Sequence, residues 1–441
     1  MLFITLISLK PIGLAVLVFT VVILGLSWML IAARKKLMPQ GDVKIVLNGD
    51  ADNPLVVAPG DTLLTALSAS NIFLPSACGG GGTCAMCECH VDAGGGDVLP
   101  TEMNHLTRKE AAEGMRLACQ VKVRNDMEVR IPEEIFGIKK WECEVVSNYN
   151  VATFIKEFIV KLPEGENLDF EAGGYIQVDV PPTVVDYKDM DITAHPKYHD
   201  SPDKFQKDWD KFNMWDLKMV NEEEIFRAYS MSNHPAEGNI VSLTIRIATP
   251  PFDRVKGGWM DVNPGICSSF VFGRKPGDKV TISGPYGEFF IKPTDAEMLY
   301  VGGGAGMAPM RSHLYHLFHT LKTGRKVTFF YGGRTRQELF YIEEFREIEK
   351  QFPNFRFAVA LDNPLPEDNW VLKENLDDPN GDGFKGYVHN VVIDEFLSKH
   401  EAPEELELYF CGPPMMNQSV IKMADDWGIP EENVAFDDFG G

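Results

Sequence analysis

The chain has 441 residues, too many for one compact core and enough for about three domains of roughly 150 residues. An apolar share of 44% and a charged share of 24% exclude a wholly disordered chain and a polytopic membrane protein. With 42 basic against 64 acidic side chains the formal charge is −22, which argues against nucleic acid as the main partner. Eight cysteines are too few for a disulfide-dense secreted scaffold, and five of them fall between Cys78 and Cys119.

Ile12 to Ala33 is a run of 22 residues without a charge. As a helix it would extend ~33 Å, enough for the ~30 Å hydrocarbon layer. A cleaved signal peptide is the rival reading, but the run exceeds the usual apolar length and only Lys10 precedes it as a basic residue. Arg34-Lys35-Lys36 follow at once, the flank expected of an anchor whose C-terminal side stays in the cytoplasm. Residues 1–36 therefore read as a single-pass transmembrane anchor in the inner (cytoplasmic) membrane, with the soluble domains on the cytoplasmic side. Free of Asp, Glu, Lys, Arg and His, the run has nothing with which to carry an ion.

Residues 37–135 read as a small domain built around Cys78-x5-Cys84-x2-Cys87, with Cys119 following after 31 residues. Gly79 to Gly82 leave backbone N–H groups free to approach a centre of thiolates and inorganic sulfide. The reducing side of a membrane favours metal thiolates over disulfides. A 2Fe-2S cluster on Cys78, Cys84, Cys87 and Cys119 is the expectation. Zinc is the rival metal, although it favours two short cysteine pairs and only one is present. Cys89 is a spare, read as a small buried residue beside the cluster. The segment resembles a β-grasp ferredoxin domain of the α+β class; its x5 spacing departs from the x4 of plant-type members and is shared by adrenodoxin-like ones.

Residues 139–293 change to short alternating strands such as YIQVDV and IVSLTIRIA, which suggests an antiparallel β-barrel. On one strand Arg227 and Tyr229 share a face and Ser230 ends the run. A guanidinium fork suits a diphosphate, a tyrosine ring offers a flat surface, and the hydroxyl can bond a flavin N5. Gly265-Ile266-Cys267-Ser268-Ser269 and Gly284-Pro285-Tyr286-Gly287 accompany that string. The lobe resembles the FAD domain of the ferredoxin-reductase superfamily. The resemblance implies that Arg227 with Ser268 or Ser269 holds the diphosphate, Tyr229 stacks on the isoalloxazine and Ser230 sits near N5. An insertion at about 181–224, rich in both charges and holding Trp209 and Trp215, reads as a solvated excursion with a small apolar staple. A docking surface is its sharper alternative.

Residues 296–441 alternate strand and helix, the pattern of an α/β parallel sheet. A strand, then Gly302, Gly303, Gly304 and Gly306, then a helix puts bare amides where a pyrophosphate can sit. Cys411-Gly412-Pro413-Pro414 ends a later strand. In the resembling superfamily that cysteine lies near the nicotinamide C4 and a C-terminal aromatic covers the flavin, which maps to Cys411 and Phe439. Arg334, Thr335 and Arg336 could welcome a 2′-phosphate, with Glu338 close by; the resemblance, not the spacing, implies NADH. His313, His316 and His319 read as partly exposed helix histidines rather than a metal stripe.

A hydride carries two electrons and an iron–sulfur centre takes one, so the order nucleotide, flavin, cluster follows from cofactor chemistry. Ser230, Cys411 and Phe439 are therefore expected to orient the reacting rings. Taken together the layout resembles, over essentially the whole chain, the F subunits of Na⁺-translocating NADH:quinone reductases. That resemblance implies an NADH-oxidising oxidoreductase with FAD and 2Fe-2S, partner membrane subunits, quinone reached indirectly, and sodium transport by the whole complex. The alternatives are the reductase component of an oxygenase and a tethered ferredoxin-type carrier or sensor.

Overall fold

A computed structural model of the protein describes residues 9–37, 41–253, 255 and 257–437. A helix runs Leu9–Leu37, with side chains described for 14–29, all of them exposed. Trp28 is 72% exposed and Phe19 68%, so between residues 14 and 29 large apolar side chains stand outward unburied. Among the described residues no helix is long and apolar enough to cross a membrane, and the stretch 14–29 is shorter than the ~20 residues a span requires.

The rest of the chain forms two compact units, the first reaching to Leu74 and resuming at Gly80–Gly137, the second comprising Pro75–Gly79 and Ile138–Gly441. The first unit holds a five-stranded sheet. Val43–Leu47 pairs antiparallel with Leu55–Val57 and parallel with Met127–Arg130. Glu88–Ala93 then pairs antiparallel with Met127–Arg130 and Met115–Leu117. Alternation along Val43–Leu47 turns Val43, Ile45 and Leu47 inward. The helix Leu63–Ala69 buries Leu63, Leu64, Ala66 and Leu67, and the Thr62 hydroxyl caps it by accepting the Thr65 N–H at 3.2 Å. This is a sheet gripping one helix, the β-grasp arrangement.

The second unit begins with a barrel. Its six strands run in the order Ile225–Ser230, Tyr175–Val180, Lys279–Tyr286, Lys139–Ala152, Ile155–Lys161 and Ile240–Arg246, every neighbouring pair antiparallel. A Met231–Leu243 bridge and the Ser232 N–H to Ser242 carbonyl bond at 2.7 Å join the two edge strands.

The insertion departs from the solvated excursion expected for it. Thr183–Asp186 and Lys218–Asn221 form an antiparallel ribbon, and Tyr187, Phe205, Trp209, Met214 and Met219 are all 0% exposed within the barrel core. These side chains are scattered singly among charges, so no periodic face marks them in the sequence; tertiary packing collects them.

The nucleotide lobe is a six-stranded parallel sheet in the order Phe384–Lys385, Phe355–Leu361, Val327–Gly333, Met298–Gly303, Glu407–Cys411, Val434–Asp437. The first strand in sequence lies in the middle and the chain later returns to its other side. Strand order therefore reverses between Met298–Gly303 and Glu407–Cys411, and the crevice beyond their carboxyl ends is where such sheets bind ligands.

Candidate functional site

At that crevice the barrel and the nucleotide lobe enclose a cleft of about 1020 Å³. From the barrel come Arg227, Tyr229, Ser230 and Ser268; from the lobe come Gly303, Gly304, Gly306, Gly412 and Pro413. The volume is at the upper end for a single small ligand and suits two. A second cavity of about 450 Å³ holds none of the residues expected to touch a cofactor.

The barrel wall is set by register. Arg227 lies opposite Val178 and Tyr229 opposite Ile176, so both take the same face of Ile225–Ser230. The Arg227 guanidinium donates to the Phe226 carbonyl at 2.7 Å. Burial and the neighbouring Cys267 thiol, to which it is hydrogen-bonded, push the Tyr229 phenol well above its ordinary range, so it stays a neutral flat ring. Burial likewise pushes Cys267 up to about 12. The Ser230 hydroxyl donates to Asp437 Oδ2 at 2.5 Å.

The two serines of the following helix, Ile266–Phe272, part company. Ser268 faces the cleft, its hydroxyl accepting the Ala248 N–H at 3.1 Å and donating to the Gly265 carbonyl at 3.2 Å. Ser269 is 0% exposed, its hydroxyl 2.8 Å from that of Tyr187. Successive residues of a helix point about 100° apart, so only one of them can line the wall.

On the nucleotide side Gly304 has φ +56° and a Cβ there would meet nothing nearer than 3.9 Å, so its backbone lies open to the cleft. Gly306 is small for a different reason: a Cβ would sit 2.2 Å from the Cys411 carbonyl oxygen. Gly302 is walled in by Met310 and Phe329, and Cys411 belongs to the buried core of the lobe. Ser269, Gly302 and Cys411 are thus not on the cleft wall. Phe439 lies outside the described residues.

The sequence reading missed Arg246 and Asp437. Arg246 ends the strand Ile240–Arg246 at the cleft, and a lone basic residue at a strand end gave only a faint signal. Asp437 reaches Ser230 because Val434–Asp437 runs parallel to Glu407–Cys411, a pairing invisible in the letters. Arg334 and Glu338 line the cleft, whereas Arg336 is drawn away, donating to the Asp368 carbonyl at 3.2 Å. Burial raises the Glu338 carboxyl above its usual range. His313 corrects the expectation of exposed helix histidines: it is 0% exposed, with Nε2 2.9 Å from the Phe289 carbonyl.

Three arginines, one flat neutral ring and open glycine backbone, in a chain of charge −22, fit a flavin dinucleotide beside a pyridine nucleotide.

In the ferredoxin unit, a hydrogen bond with Cys119 and then burial hold the Cys87 thiol well above its ordinary range, with Cys84 acting in the same direction. A thiol held neutral in this way is one that bound iron would deprotonate. Gly80 passes 3.9 Å from the Cys119 Cβ, measured from where its own Cβ would be. Cys78 sits in the Pro75–Gly79 segment, its sulfur 4.0 Å from the Ser76 hydroxyl. Among the described residues no three His, Cys, Asp or Glu side chains converge on a single ion. A binuclear cluster spreads four thiolates over two irons, so its ligands need not share one ion's shell. That donor set, all sulfur with one short pair, fits the cluster better than zinc. Cys89 is 2% exposed and pushed up to about 12 by burial, an inert packing residue.

Upstream of Cys119 a buried pair fixes the backbone. The Arg116 guanidinium donates twice to Glu102 at 2.9 Å, while Glu102 accepts the Leu117 N–H at 3.1 Å and the Leu99 N–H at 2.8 Å. Every charge-bearing atom is satisfied, the condition for such a pair to persist in a core.

Three family models match the chain: a 2Fe-2S iron-sulfur cluster binding domain over residues 47–124, an oxidoreductase FAD-binding domain over 208–291 and an oxidoreductase NAD-binding domain over 300–422. Among solved structures, a cytochrome P450 reductase from Amycolatopsis has a TM-score of 0.59 at 22% identity, over 90% of this chain and 98% of that one. A ferredoxin reductase in carbazole 1,9a-dioxygenase has a TM-score of 0.55 at 22% identity with the same coverage, and both likenesses speak to the fold. Curated relatives are much nearer. The F subunit of the Na(+)-translocating NADH-quinone reductase of Neisseria meningitidis serogroup C, strain FAM18, is 52% identical over 97% of this chain and 99% of its own. That of Pseudomonas aeruginosa strain PAO1 is 52% identical over 97% of this chain and 98% of its own. With three cofactor domains in one order and that identity over nearly all its length, the chain belongs to the family of F subunits of the Na(+)-translocating NADH-quinone reductases.

Proposed function

We propose that this chain is the electron-input subunit of a membrane respiratory complex: it oxidises NADH and delivers electrons to partner subunits and, through them, to quinone, with sodium transport carried out by the complex as a whole. The observation that carries this reading is the cleft in which Arg227, Tyr229, Ser230 and Ser268 of the barrel face Gly303, Gly304, Gly306, Gly412 and Pro413 of the nucleotide lobe, in a chain that also carries Cys78, Cys84, Cys87 and Cys119. The chemistry supplied by bound FAD and 2Fe-2S is the conversion of a hydride pair into single electrons.

The chain's own residues bind and orient. Arg227 and Ser268 hold a diphosphate, Tyr229 offers its ring to the isoalloxazine, and Ser230, steadied by Asp437, presents its hydroxyl at N5. The open Gly304 backbone and the Gly412-Pro413 turn receive the pyridine nucleotide, Cys411 backs that turn from the core, and Phe439 covers the flavin. Cys78, Cys84, Cys87 and Cys119 ligate the cluster. No side chain has to move a proton for hydride transfer, so these roles are positional. Residues 12–33 anchor the chain in the inner membrane with residues 37–441 on the cytoplasmic side.

Absorbance and EPR spectroscopy of the purified full chain, with NADH oxidation followed by ferricyanide, tests the reading. Flavin bands, one reducible binuclear iron signal and turnover with NADH are expected; a colourless protein, or bound FAD that NADH does not bleach, overturns it. Quinone reduction coupled to sodium only when the membrane partners co-purify tests the place in the complex.

A further inference from the structure

The insertion is bound on two sides. Towards the barrel, the Asn150 N–H donates to the Thr193 carbonyl at 3.0 Å and the Asn150 carbonyl accepts the His195 N–H at 2.7 Å. The Lys156 ammonium, 0% exposed, donates to the Asp191 carbonyl at 2.6 Å. The Trp209 indole N–H donates to the Thr153 carbonyl at 2.8 Å. Towards the nucleotide lobe, the Tyr198 hydroxyl donates to Glu344 at 2.8 Å and Lys197 pairs with the same carboxylate. The Gln337 amide donates to Asp208 at 2.9 Å and to the Thr153 hydroxyl at 2.8 Å.

These contacts end at the cleft. Thr153 of the barrel gives both its hydroxyl and its N–H to Glu338, a cleft residue of the lobe, and so the chain Asp208, Gln337, Thr153, Glu338 leads from the insertion to the cofactor wall. Glu344 also takes Arg311, whose guanidinium crosses to the barrel and donates to Glu237 at 2.8 Å and to the Ser232 carbonyl at 2.8 Å. Arg311 and Glu344 of the lobe are 13% and 9% exposed at the side chain, charged groups buried this deeply are costly unless fully paired, and Tyr198 and Lys197 of the insertion complete the pairing of Glu344. Hydride transfer, by contrast, demands reacting atoms about 3–3.5 Å apart, and here the two rings are carried by two different lobes.

We propose that residues 191–209 are an interlobe tie that presets the spacing between the barrel and the nucleotide lobe, with Tyr198 and Asp208 as positioning residues for hydride transfer. The inference rests on the NADH-oxidising reading above and adds to it the job of the insertion.

The test uses the full chain with FAD bound, comparing the wild type with Tyr198→Phe, which deletes one hydroxyl at the seam, and Asp208→Ala, which deletes one acceptor. Neither residue lines the cleft. Rapid-mixing measurements follow flavin bleaching by NADH over a range of NADH concentrations, alongside FAD content. The tie predicts bleaching slowed about tenfold in each variant, with half-saturation by NADH within twofold of wild type and FAD content unchanged. Unchanged rates, or a rise in half-saturation at constant limiting rate, overturn the tie. So does loss of FAD from both variants, which would make the insertion a plain scaffold. A wild type that NADH fails to bleach sinks the functional reading instead, so the two failures are told apart.

Discussion

The Ser230 hydroxyl donates to Asp437 Oδ2 at 2.5 Å, tying a barrel strand to the last strand of the nucleotide sheet at the cleft. A serine rotor left alone samples three staggered wells, whereas a carboxylate acceptor selects one.

Removing the hydroxyl should therefore cost rate rather than binding. Ser230→Ala is expected to slow flavin reduction by NADH by roughly 10²-fold with FAD content near wild type, the scale for losing one positioning contact beside the reacting rings. Asp437→Asn, which keeps an oxygen acceptor, should cost several times less. Rapid-mixing flavin absorbance checks both, and an Asn variant slower than the Ala variant would contradict the order.

Cys119 and Cys89 provide a contrast between neighbours in the same unit. Cys119→Ser should abolish the binuclear EPR signal while NADH still bleaches the flavin, because the FAD cleft belongs to other elements. Cys89→Ala should keep the signal, since a thiol buried and pushed up to about 12 contributes volume rather than charge. Iron content and EPR amplitude decide.

The two glycines of the nucleotide turn should fail differently. Gly306→Ala places a methyl 2.2 Å from the Cys411 carbonyl oxygen and should lower stability by more than about 2 kcal/mol in urea unfolding. Gly304→Ala finds no atom nearer than 3.9 Å, so only the φ of +56° counts against it, about 1 kcal/mol. Its methyl enters the cleft, and the expected consequence is a raised KM for NADH.

His313 adds a pH dependence to stability. Burial lowers its imidazole from 6.5 to about 4, so between those values the unfolded chain binds a proton that the folded chain refuses. Stability contributed by the neutral ring is complete above about 6.5 and is lost as pH falls towards 4. The full gap corresponds to about 3 kcal/mol. His313→Gln keeps a donor for the Phe289 carbonyl without a titrating group. Unfolding at pH 7.5 and pH 5 should show a smaller difference in the variant than in the wild type, and equal differences would refute the assignment.

Local chemistry was legible where one short segment carries it. The Cys78–Cys87 loop, the Arg227-Ala228-Tyr229-Ser230 strand and the Gly302–Gly306 turn each place their donors within a few residues, and it is their occurrence together in one chain that points to the ligand classes. The choice between Ser268 and Ser269 was not legible, because it depends on which way a seven-residue helix is rotated against Tyr187. His313 likewise reads as a surface histidine until Phe289 of the barrel's end covers it.

The sequence by itself located the cysteine cluster, the Arg227-to-Ser230 strand, the glycine turn and the alternation that makes a parallel sheet, since all of these follow from backbone period and residue types over short distances. Only the tertiary structure decided that Asp437 meets Ser230 across 207 residues of chain and that Trp209 and Tyr187 of a charge-rich insertion lie inside the core. It also decided that the same insertion joins the two lobes through Glu344 and Gln337. Those pairings are products of how strands and helices pack, and packing energy is shared among residues far apart in the chain, where no local pattern records it.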